Sequence, residues 1–348
     1  MSPVAQLLAR QQARFSELAP MWINPPGDLF DALPGCVGHP VFSQDRVNHD
    51  RLARQTSSAT FGDFPTRPPA PPRDIVLTLP RGKACLEMMI ACCANMLAPS
   101  GRLWLAGENR DGIKSAGKSL QTAFRTVNKV DSARHCALFC ATDAALTGAF
   151  DPAQWRDSWV LERQGATLEI HSWPGVFNHG ALDDGTALLL DVLEALDPGP
   201  AMRVLDLGCG AGVLGASLLA RQPGLKVVLS DTSALACHAA RSTLVANGLN
   251  AEVVPSDGFA ELAGTFDLVV TNPPFHRGHK GDPEMTPRLL APIRNFLTAR
   301  GQLIMVANRH LPYTQQLRPW FATVNTLAAN RRFQVLHCLA PNRMETSP

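Results

Sequence analysis

The amino-acid sequence predicts an α/β fold in two tandem, related halves. Apolar runs such as residues 266–270 have the length expected for strands buried on both faces of a parallel sheet. Residues 203–215 combine a short apolar strand, a glycine-rich turn and the start of a helix. In addition, one order of features occurs twice: a strand, a proline turn, a helix, a glycine, a second strand and an Asn-Arg pair. Such a repetition indicates an old duplication of one α/β domain.

The two copies are predicted to cover residues 1–165 and 166–348. The first repeated strand begins at Asp74 in the N-terminal copy and at Asp267 in the C-terminal copy. The N-terminal copy lacks the glycine-rich turn, and Leu79-Pro80 stands where the C-terminal copy has Asn-Pro-Pro-Phe. We therefore expect the N-terminal copy to be non-catalytic and to recognise the substrate or support its partner. Asn24-Pro25-Pro26 is interpreted as a turn, because Gly27 follows it and no apolar strand is expected before it.

The most informative segment is Thr-Asn-Pro-Pro-Phe at residues 271–275, directly after the apolar run. Two prolines prevent a helix from starting there, so the chain leaves the sheet at the edge where α/β proteins bind ligands. The Asn272 side chain and the Pro273 carbonyl are hydrogen-bond acceptors, and Phe275 offers a flat face for stacking. This combination suits the binding of a planar group that carries an NH2.

The glycine-rich turn reads Asp-Leu-Gly-Cys-Gly-Ala-Gly at residues 206–212. Glycines allow a sharp turn and a close approach of a ligand to the backbone. The spacing of Gly210, Gly212 and Gly215 also satisfies the dinucleotide pattern, which is a weak signal alone. Three acids, Asp206, Asp231 and Asp257, lie at the ends of three successive predicted strands. We expect Asp231 to accept hydrogen bonds from ribose hydroxyls and Asp257 to lie beside an adenine.

Composition restricts the class of protein. The chain has 348 residues with 45% hydrophobic content, which is enough for two ordinary domains. No apolar run approaches the length of a membrane span, and the N-terminus has no signal-peptide core. Nine cysteines occur without the spacing of a metal site, so we expect reduced, buried thiols, a cytoplasmic location and no metal. We interpret Cys209 as a small residue under a cofactor rather than as a nucleophile.

The net charge of +2 conceals an asymmetry along the chain. Residues 277–343 contain ten Lys or Arg and only two acids, whereas residues 183–267 contain eleven acids and four bases. A second basic stretch, residues 102–134, contains seven bases and three acids. Positive potential around the mouth of a site attracts polyanions and supplies contacts to phosphates. The predicted substrate is therefore a nucleic acid.

Five segments together resemble the RsmC-type small-subunit ribosomal RNA guanine-N2 methyltransferases. Two of them, residues 206–214 and 272–276, are shared by many methyltransferases that use S-adenosyl-L-methionine. Three are more specific to this family: residues 107–110, 128–134 and 174–177. The resemblance implies two tandem Rossmann-like class I methyltransferase domains, of which the N-terminal one is degenerate. It also implies methylation of the N2 amine of one guanine in 16S rRNA within the small ribosomal subunit, by a monomer that needs neither a metal nor a membrane.

The expected site residues follow from the motifs and from this resemblance. The expected catalytic residues are Asn272, Pro273, Pro274 and Phe275. Those expected to bind the cofactor S-adenosyl-L-methionine are Phe177, Asp183, Gly185, Thr186, Asp206, Gly208, Cys209, Gly210, Gly212, Asp231, Thr232, Asp257, Gly258 and Asn272. Those expected to bind the RNA substrate are Phe275, His276, Arg309, Arg331 and Arg332.

Other functions share part of this pattern. The Asn-Pro-Pro-aromatic motif also serves adenine-N6 DNA methyltransferases and protein-glutamine methyltransferases, although neither requires a degenerate N-terminal copy. A nicotinamide oxidoreductase would need a hydride-transfer site, and nothing near Asn272 provides one. An inactive RNA-binding assembly factor is a further alternative, but the catalytic positions are intact in this sequence.

Overall fold

The computed structural model describes residues 1–145, 149–163, 166–196, 199, 201–273 and 290–341. The chain divides into two compact units. The first unit consists of Met1–Arg156 with the short segments Trp173–Gly175 and Ser233–Leu235. The second consists of Asp157–Ser172, Val176–Thr232 and Ala236–Pro348. The predicted boundary at residues 165 and 166 falls in the connection between two strands of the second unit, and the roles assigned to the two domains stay predictions.

The first unit is built around a seven-stranded sheet with the spatial order β3-β2-β1-β4-β5-β7-β6. Its strands are β1 Met21–Ile23, β2 Val41–Ser43, β3 Ala59–Phe61, β4 Asp74–Thr78, β5 Arg102–Glu108, β6 Phe124–Ala133 and β7 Cys136–Ala144. Its helices are α1 Pro3–Ala9, α2 Gln12–Leu18, α3 Leu29–Ala32, α4 Arg46–Ala53, α5 Lys83–Met96 and α6 Ile113–Leu120. Short 3-10 helices cover Pro34–Cys36, Asn109–Asp111 and Pro152–Trp155.

The second unit begins with a two-stranded hairpin, β8 Asp157–Arg163 and β9 Ala166–Ser172. Its main sheet has the order β12-β11-β10-β13-β14-β16-β15. The strands are β10 Arg203–Leu207, β11 Lys226–Asp231, β12 Glu252–Pro255, β13 Phe266–Thr271, β14 Leu297–Asn308, β15 Phe321–Ala329 and β16 Phe333–Pro341. The helices described are α7 Asp184–Ala195, α8 Val213–Arg221, α9 Ala234–Ala246, α10 Ile293–Phe296 and α11 Tyr313–Leu317.

The two sheets have the same strand order, position by position. In each, five parallel strands are followed by an antiparallel pair, β7 with β6 and β16 with β15. β4 and β13, which carry the repeated sequence pattern, occupy the same place in their sheets. The prediction of two tandem domains of one α/β fold is therefore confirmed.

Parallel pairing in the second unit brings the predicted motifs to one edge. β10 lies between β11 and β13, with Leu207 opposite Ser230 on one side and Thr271 on the other. The apolar side chains of β10 and β13 are buried, as expected for central strands covered on both faces. Because parallel strands end on the same side of a sheet, the glycine-rich turn after β10 and Asn272 after β13 become neighbours.

In the first unit, side chains fill the places that correspond to those motifs. After β4, Leu79 packs so closely on Gly107 that a Cβ there would lie 2.5 Å from the Leu79 Cβ. After β1, the Gly27 N–H donates to Asn48 Oδ1 at 3.1 Å, and Arg51 covers the same turn. The unit therefore has neither an amide at the end of β4 nor an open glycine turn at the end of β1.

One detail of the sequence interpretation is wrong. A strand does precede Asn24, namely β1, and it lies inside the first sheet, between β2 and β4. With only three residues it gives too short an apolar run to be recognised in the sequence. Asn24 itself adopts a left-handed conformation with φ of 51°, as is common where a strand leads into a turn.

Candidate active site

The carboxyl ends of β10 to β13 bring three acids and one amide to a single edge of the second sheet. Asp206 lies within β10, Asp231 ends β11, Asp257 follows β12 and Asn272 follows β13. The strands are adjacent in the order β12-β11-β10-β13. The three acids, which the sequence places at the ends of three successive strands, therefore lie on neighbouring strands together with Asn272.

The glycines between β10 and α8 have two different functions. Gly208 and Gly210 have positive φ, 74° and 54°, and a Cβ on either would meet no atom within 4 Å. Gly212 and Gly215 are instead packed against their surroundings, because a Cβ would lie about 3 Å from the Leu229 side chain. The first pair leaves the backbone open to a ligand, and the second pair lets α8 approach β11 closely.

Asp206 is a buried carboxylate beneath this turn. Its side chain is fully buried, and Oδ2 accepts a hydrogen bond from the Gly215 N–H at 2.9 Å. Within the described ranges, Oδ1 has no hydrogen-bond partner. Burial raises the pKa of Asp206 to about 7; the hydrogen bond from Gly215 opposes that shift and the charge of Asp231 adds to it. A positively charged ligand above the turn would stabilise the ionised form.

The raised pKa predicts that stability depends on pH through Asp206. In the unfolded chain this carboxyl ionises near its ordinary value of 3.8, whereas in the folded protein it stays protonated up to about 7. The free energy of unfolding should therefore fall as the pH rises through this window. Thermal unfolding without cofactor, measured across the window for the wild type and Asp206→Asn, checks this. The variant should lack that part of the slope, and equal slopes in both proteins would contradict the expectation.

Asn272 is held by two groups from the start of α7. Its Nδ2 donates to Asp183 Oδ2 at 3.0 Å and to Thr186 Oγ1 at 2.8 Å. Asp183 is also the N-cap of α7, since Oδ2 accepts from the Thr186 N–H at 2.9 Å. A carboxylate can only accept, so the nitrogen side of the amide must face Asp183. The amide oxygen therefore points away from α7.

A cleft of about 510 Å³, counting the solvent at its open mouth, lies between the glycine turn and the start of α7. Seven predicted residues line it: Phe177, Asp183, Thr186, Gly208, Cys209, Gly210 and Asn272. The structure thus brings together the glycine turn, the start of α7 and the end of β13.

Other predicted cofactor residues lie beside the cleft rather than in its lining. Gly185 is buried, and a Cβ there would lie 2.9 Å from Asp183 Oδ2 and 3.4 Å from the Phe333 ring. Asp231 accepts a hydrogen bond from the Gly210 N–H at 3.1 Å, which fixes the turn. Asp206, Gly212, Thr232, Asp257 and Gly258 are likewise not among the lining residues. Pro274, Phe275 and His276 lie outside the described residues.

The sequence analysis missed one wall of the cleft. Trp159 of β8 and Ser172 of β9 line it, as do Asn178, Ala181 and Leu182. The hairpin is fixed to α9 by side chains, because the Glu169 and His171 N–H groups donate to Asn247 Oδ1 and Thr243 Oγ1. No local pattern marks Trp159, since its role depends on where the hairpin packs.

The predicted arginines cluster at the same edge of the sheet. Arg309 follows β14, and its N–H donates to the Arg332 carbonyl in the turn between β15 and β16 at 2.9 Å. Arg332 lies 3.3 Å from Asp184, and its guanidinium lies 5.2 Å from the centre of the Phe333 ring. Arg331 is exposed in the same turn. The structure therefore places positive charge beside the first turn of α7, next to Asp183.

The remaining chemistry of the site is limited by burial. Cys209 is buried, and burial raises the pKa of its thiol well above the ordinary value, which opposes formation of a thiolate. Within the described residues there is no group of three or more His, Cys, Asp or Glu side chains that could bind a metal ion. None of the helices in those same ranges combines the length and hydropathy needed to cross a membrane.

Comparison with known proteins gives a consistent result. Residues 167–337 match the methyltransferase small domain, and residues 5–159 match the methyltransferase small domain N-terminal family. The ribosomal RNA small subunit methyltransferase C of Pseudoalteromonas atlantica is 38% identical over 97% of this chain and 99% of its own length. The protein of that name from Chromohalobacter salexigens is 38% identical over 98% and 99%.

A solved structure supports the same relationship. It is the T. thermophilus 16S rRNA N2 G1207 methyltransferase in complex with AdoMet and guanosine. It superposes with a TM-score of 0.85 and 26% sequence identity, over 97% of this chain and 92% of that one. With near-complete coverage in both comparisons, the chain belongs to the ribosomal RNA small subunit methyltransferase C family of enzymes, whose cofactor is S-adenosyl-L-methionine.

Proposed function

We propose that this protein transfers a methyl group to the exocyclic N2 amine of one guanine in 16S rRNA of the small ribosomal subunit. The guanine would correspond to the one called G1207 in the T. thermophilus enzyme. We further propose that the protein acts in the cytoplasm as a monomer. The observation that carries the proposal is the fixed orientation of the Asn272 amide at the edge of the cleft.

That orientation matters because the exocyclic amine of guanine is a poor nucleophile. Its lone pair is delocalised into the ring, and the nitrogen becomes more nucleophilic as it becomes pyramidal. An amide oxygen of Asn272 that accepts one N–H, with the Pro273 carbonyl accepting the other, would favour the pyramidal form. These acceptors are fixed before the reaction, so the gain comes from positioning and preorganised electrostatics rather than from a strong base.

The cleft residues suit the cofactor named above. Gly208 and Gly210 present open backbone, and Asp231 stands at the end of β11 where a ribose is bound in such folds. Phe177, which is 58% exposed, and Trp159 line the same cleft and offer aromatic surface to a cation. The bound sulfonium supplies a methyl group on a good leaving group. The protein would then hold donor and acceptor in line, and the proton that the methylated amine must lose would pass to solvent from the N–H that the Asn272 or Pro273 oxygen accepts.

An RNA substrate accounts for the basic turn beside the site. Arg309, Arg331 and Arg332 present guanidinium groups at the edge where the base must enter. Such groups bind phosphates and make the affinity depend on salt. A base inside a helix must also be flipped out, at a cost of a few kcal/mol that the backbone contacts can offset.

The test is methyl transfer from labelled S-adenosyl-L-methionine to small ribosomal subunits from cells that lack this protein, followed by nucleoside analysis. We expect label in N2-methylguanosine with the wild type and its loss with Asn272→Ala. Label in an adenine or in a protein would be consistent with a methyltransferase but would overturn guanine as the proposed substrate. Tight cofactor binding without any transfer would overturn the proposed catalysis and favour an RNA-binding assembly factor.

A further inference from the structure

The turn between β6 and β7 in the first unit has an unusual composition for its shape. Ala133 pairs with Cys136 across the hairpin, so only Arg134 and His135 form the loop. Both adopt left-handed backbone conformations, with φ of 53° and 58°. Two-residue hairpin loops with two positive φ values strongly favour Asn-Gly, because larger side chains are strained there. The chain therefore places two large basic side chains where backbone geometry disfavours them.

The second unit has basic residues in the corresponding turn. Its counterpart joins β15 and β16 and contains Arg331 and Arg332. In both units the first residue after the preceding parallel strand donates its N–H to the second turn residue. Asn109 donates to the His135 carbonyl at 2.7 Å, and Arg309 donates to the Arg332 carbonyl at 2.9 Å. The turn that brings positive charge to the catalytic edge in one unit thus has a basic equivalent in the other.

In the part of the chain that the structure describes, the neighbouring acids do not form salt bridges with the Arg134 side chain at the tip of the turn. Arg110 pairs with Glu108 at 2.8 Å, and Asp111 follows in the same 3-10 helix. Asp131 of β6 pairs with Arg10 at 3.0 Å. Arg134 and His135 are exposed, and within the described ranges no carboxylate forms a salt bridge with Arg134. The acids nearest in sequence are therefore engaged with other arginines or lie beside one.

The turn also joins two segments that the catalytic chemistry leaves unexplained. Residues 107–110 end β5, and residues 128–134 form the end of β6 and the start of the turn. The contact between Asn109 and His135 brings these two segments together at one edge of the sheet. Neither segment contributes to the cofactor cleft, which is lined by residues of the second unit.

We propose that the Arg134-His135 turn contacts backbone phosphates of the RNA substrate. The inference rests on the proposed function, because it takes the substrate to be rRNA. An exposed arginine at the tip of a hairpin can bind a phosphate with two N–H groups, and the histidine can donate a further hydrogen bond. Asn-Gly would form this turn with less backbone strain than Arg-His does. A contact between these two side chains and a ligand would account for the strained residues.

The decisive variant replaces the turn with its favoured sequence, Arg134→Asn together with His135→Gly. Relief of the two strained positions should raise the melting temperature, by about 2–4 °C. Loss of the phosphate contact should raise the KM for small ribosomal subunits at least about threefold and reduce the salt dependence of binding. The kcat at saturating substrate should stay near that of the wild type, because no group in the cofactor cleft changes.

Three control variants separate charge from backbone strain. Arg134→Lys keeps the charge and the strained backbone but loses the two-pronged guanidinium contact, so its KM should lie between those of the wild type and the double variant, without a gain in stability. Ser100→Gly relieves an exposed left-handed residue with φ of 59° and should gain stability without a change in KM. Arg54→Gln removes an exposed charge after α4 and should leave both KM and stability near the wild type.

The outcomes distinguish this inference from the proposed function. An active wild type with an unchanged KM in the double variant would overturn the phosphate contact alone. A fall in melting temperature of the double variant would show that the turn has a structural role, and would also count against the inference. If the wild type methylates no RNA, both proposals fail together.

Discussion

Asn272→Ala should lower kcat about 10²- to 10³-fold, the size of loss seen when one preorganised polar group is removed from an active site. The cofactor affinity should change far less, because the substitution leaves the glycine turn, which we propose binds the cofactor, untouched. The physical reason is the anchoring of Asn272 Nδ2 by Asp183 and Thr186, which leaves the amide oxygen free to accept a hydrogen bond from the amine of the proposed substrate. Single-turnover methylation and separate cofactor titration measure the two effects.

Two further variants test the orientation itself. Asn272→Asp keeps the size of the side chain but puts a second carboxylate against Asp183, so activity should fall nearly as far as with alanine. Thr186→Val removes one of the two acceptors and should cause a smaller loss in kcat. If Thr186→Val and Asn272→Ala were equally damaging, or if neither changed kcat, the amide-orientation argument would be wrong.

Gly210→Ala should weaken cofactor binding about 10- to 100-fold. The added methyl group would collide with the bound cofactor, and overpacking of this kind costs about 1–3 kcal/mol. Gly210 lines the cleft, its φ is 54°, and a Cβ would enter space that is open in the protein alone. The added methyl should therefore obstruct the cofactor more than it disturbs the fold. Calorimetric titration with S-adenosyl-L-methionine measures this.

Gly248→Ala is the matched control for Gly210→Ala. Gly248 also has a positive φ, 62°, and a Cβ there would meet no atom within 4 Å, but it lies after α9 and outside the cleft. Both variants should lose about 1–2 kcal/mol of stability from the left-handed conformation. Only Gly210→Ala should lose cofactor affinity, and equal losses in both would indicate a general effect on the fold.

Much of the second unit could be predicted from the sequence because its motifs follow strands. The apolar runs before Asp206 and Asn272 indicate buried parallel strands, and parallel strands end on one side of a sheet. The same rule predicts from the sequence that the glycine turn and Asn272 lie at one edge of the sheet. The same reasoning correctly indicated two tandem domains, since β4 and β13 occupy equivalent positions.

What the sequence could not provide depends on tertiary packing. Trp159 and Ser172 reach the cleft only because their hairpin docks on α9 through Thr243 and Asn247. The bond between Asn272 and Asp183 joins residues that are far apart in the chain, and neither carries a local signal for the other. β1 was missed because three residues give no periodic pattern, although the strand lies inside its sheet, between β2 and β4.

The chain passes from the first unit to the second and back before it stays in the second, so neither unit can be produced alone by a simple truncation. A fragment beginning at residue 166 would lack β8 and with it the pairing partner of β9. A fragment beginning at Asp157 would keep the hairpin but would still carry Trp173, which is 3% exposed and donates its indole N–H to the Pro152 carbonyl at 2.8 Å. Because Trp173–Gly175 belongs to the first unit, no single cut of the chain yields the second unit free of residues of the first. A variant meant to isolate the second unit would therefore have to replace Trp173 as well as shorten the chain.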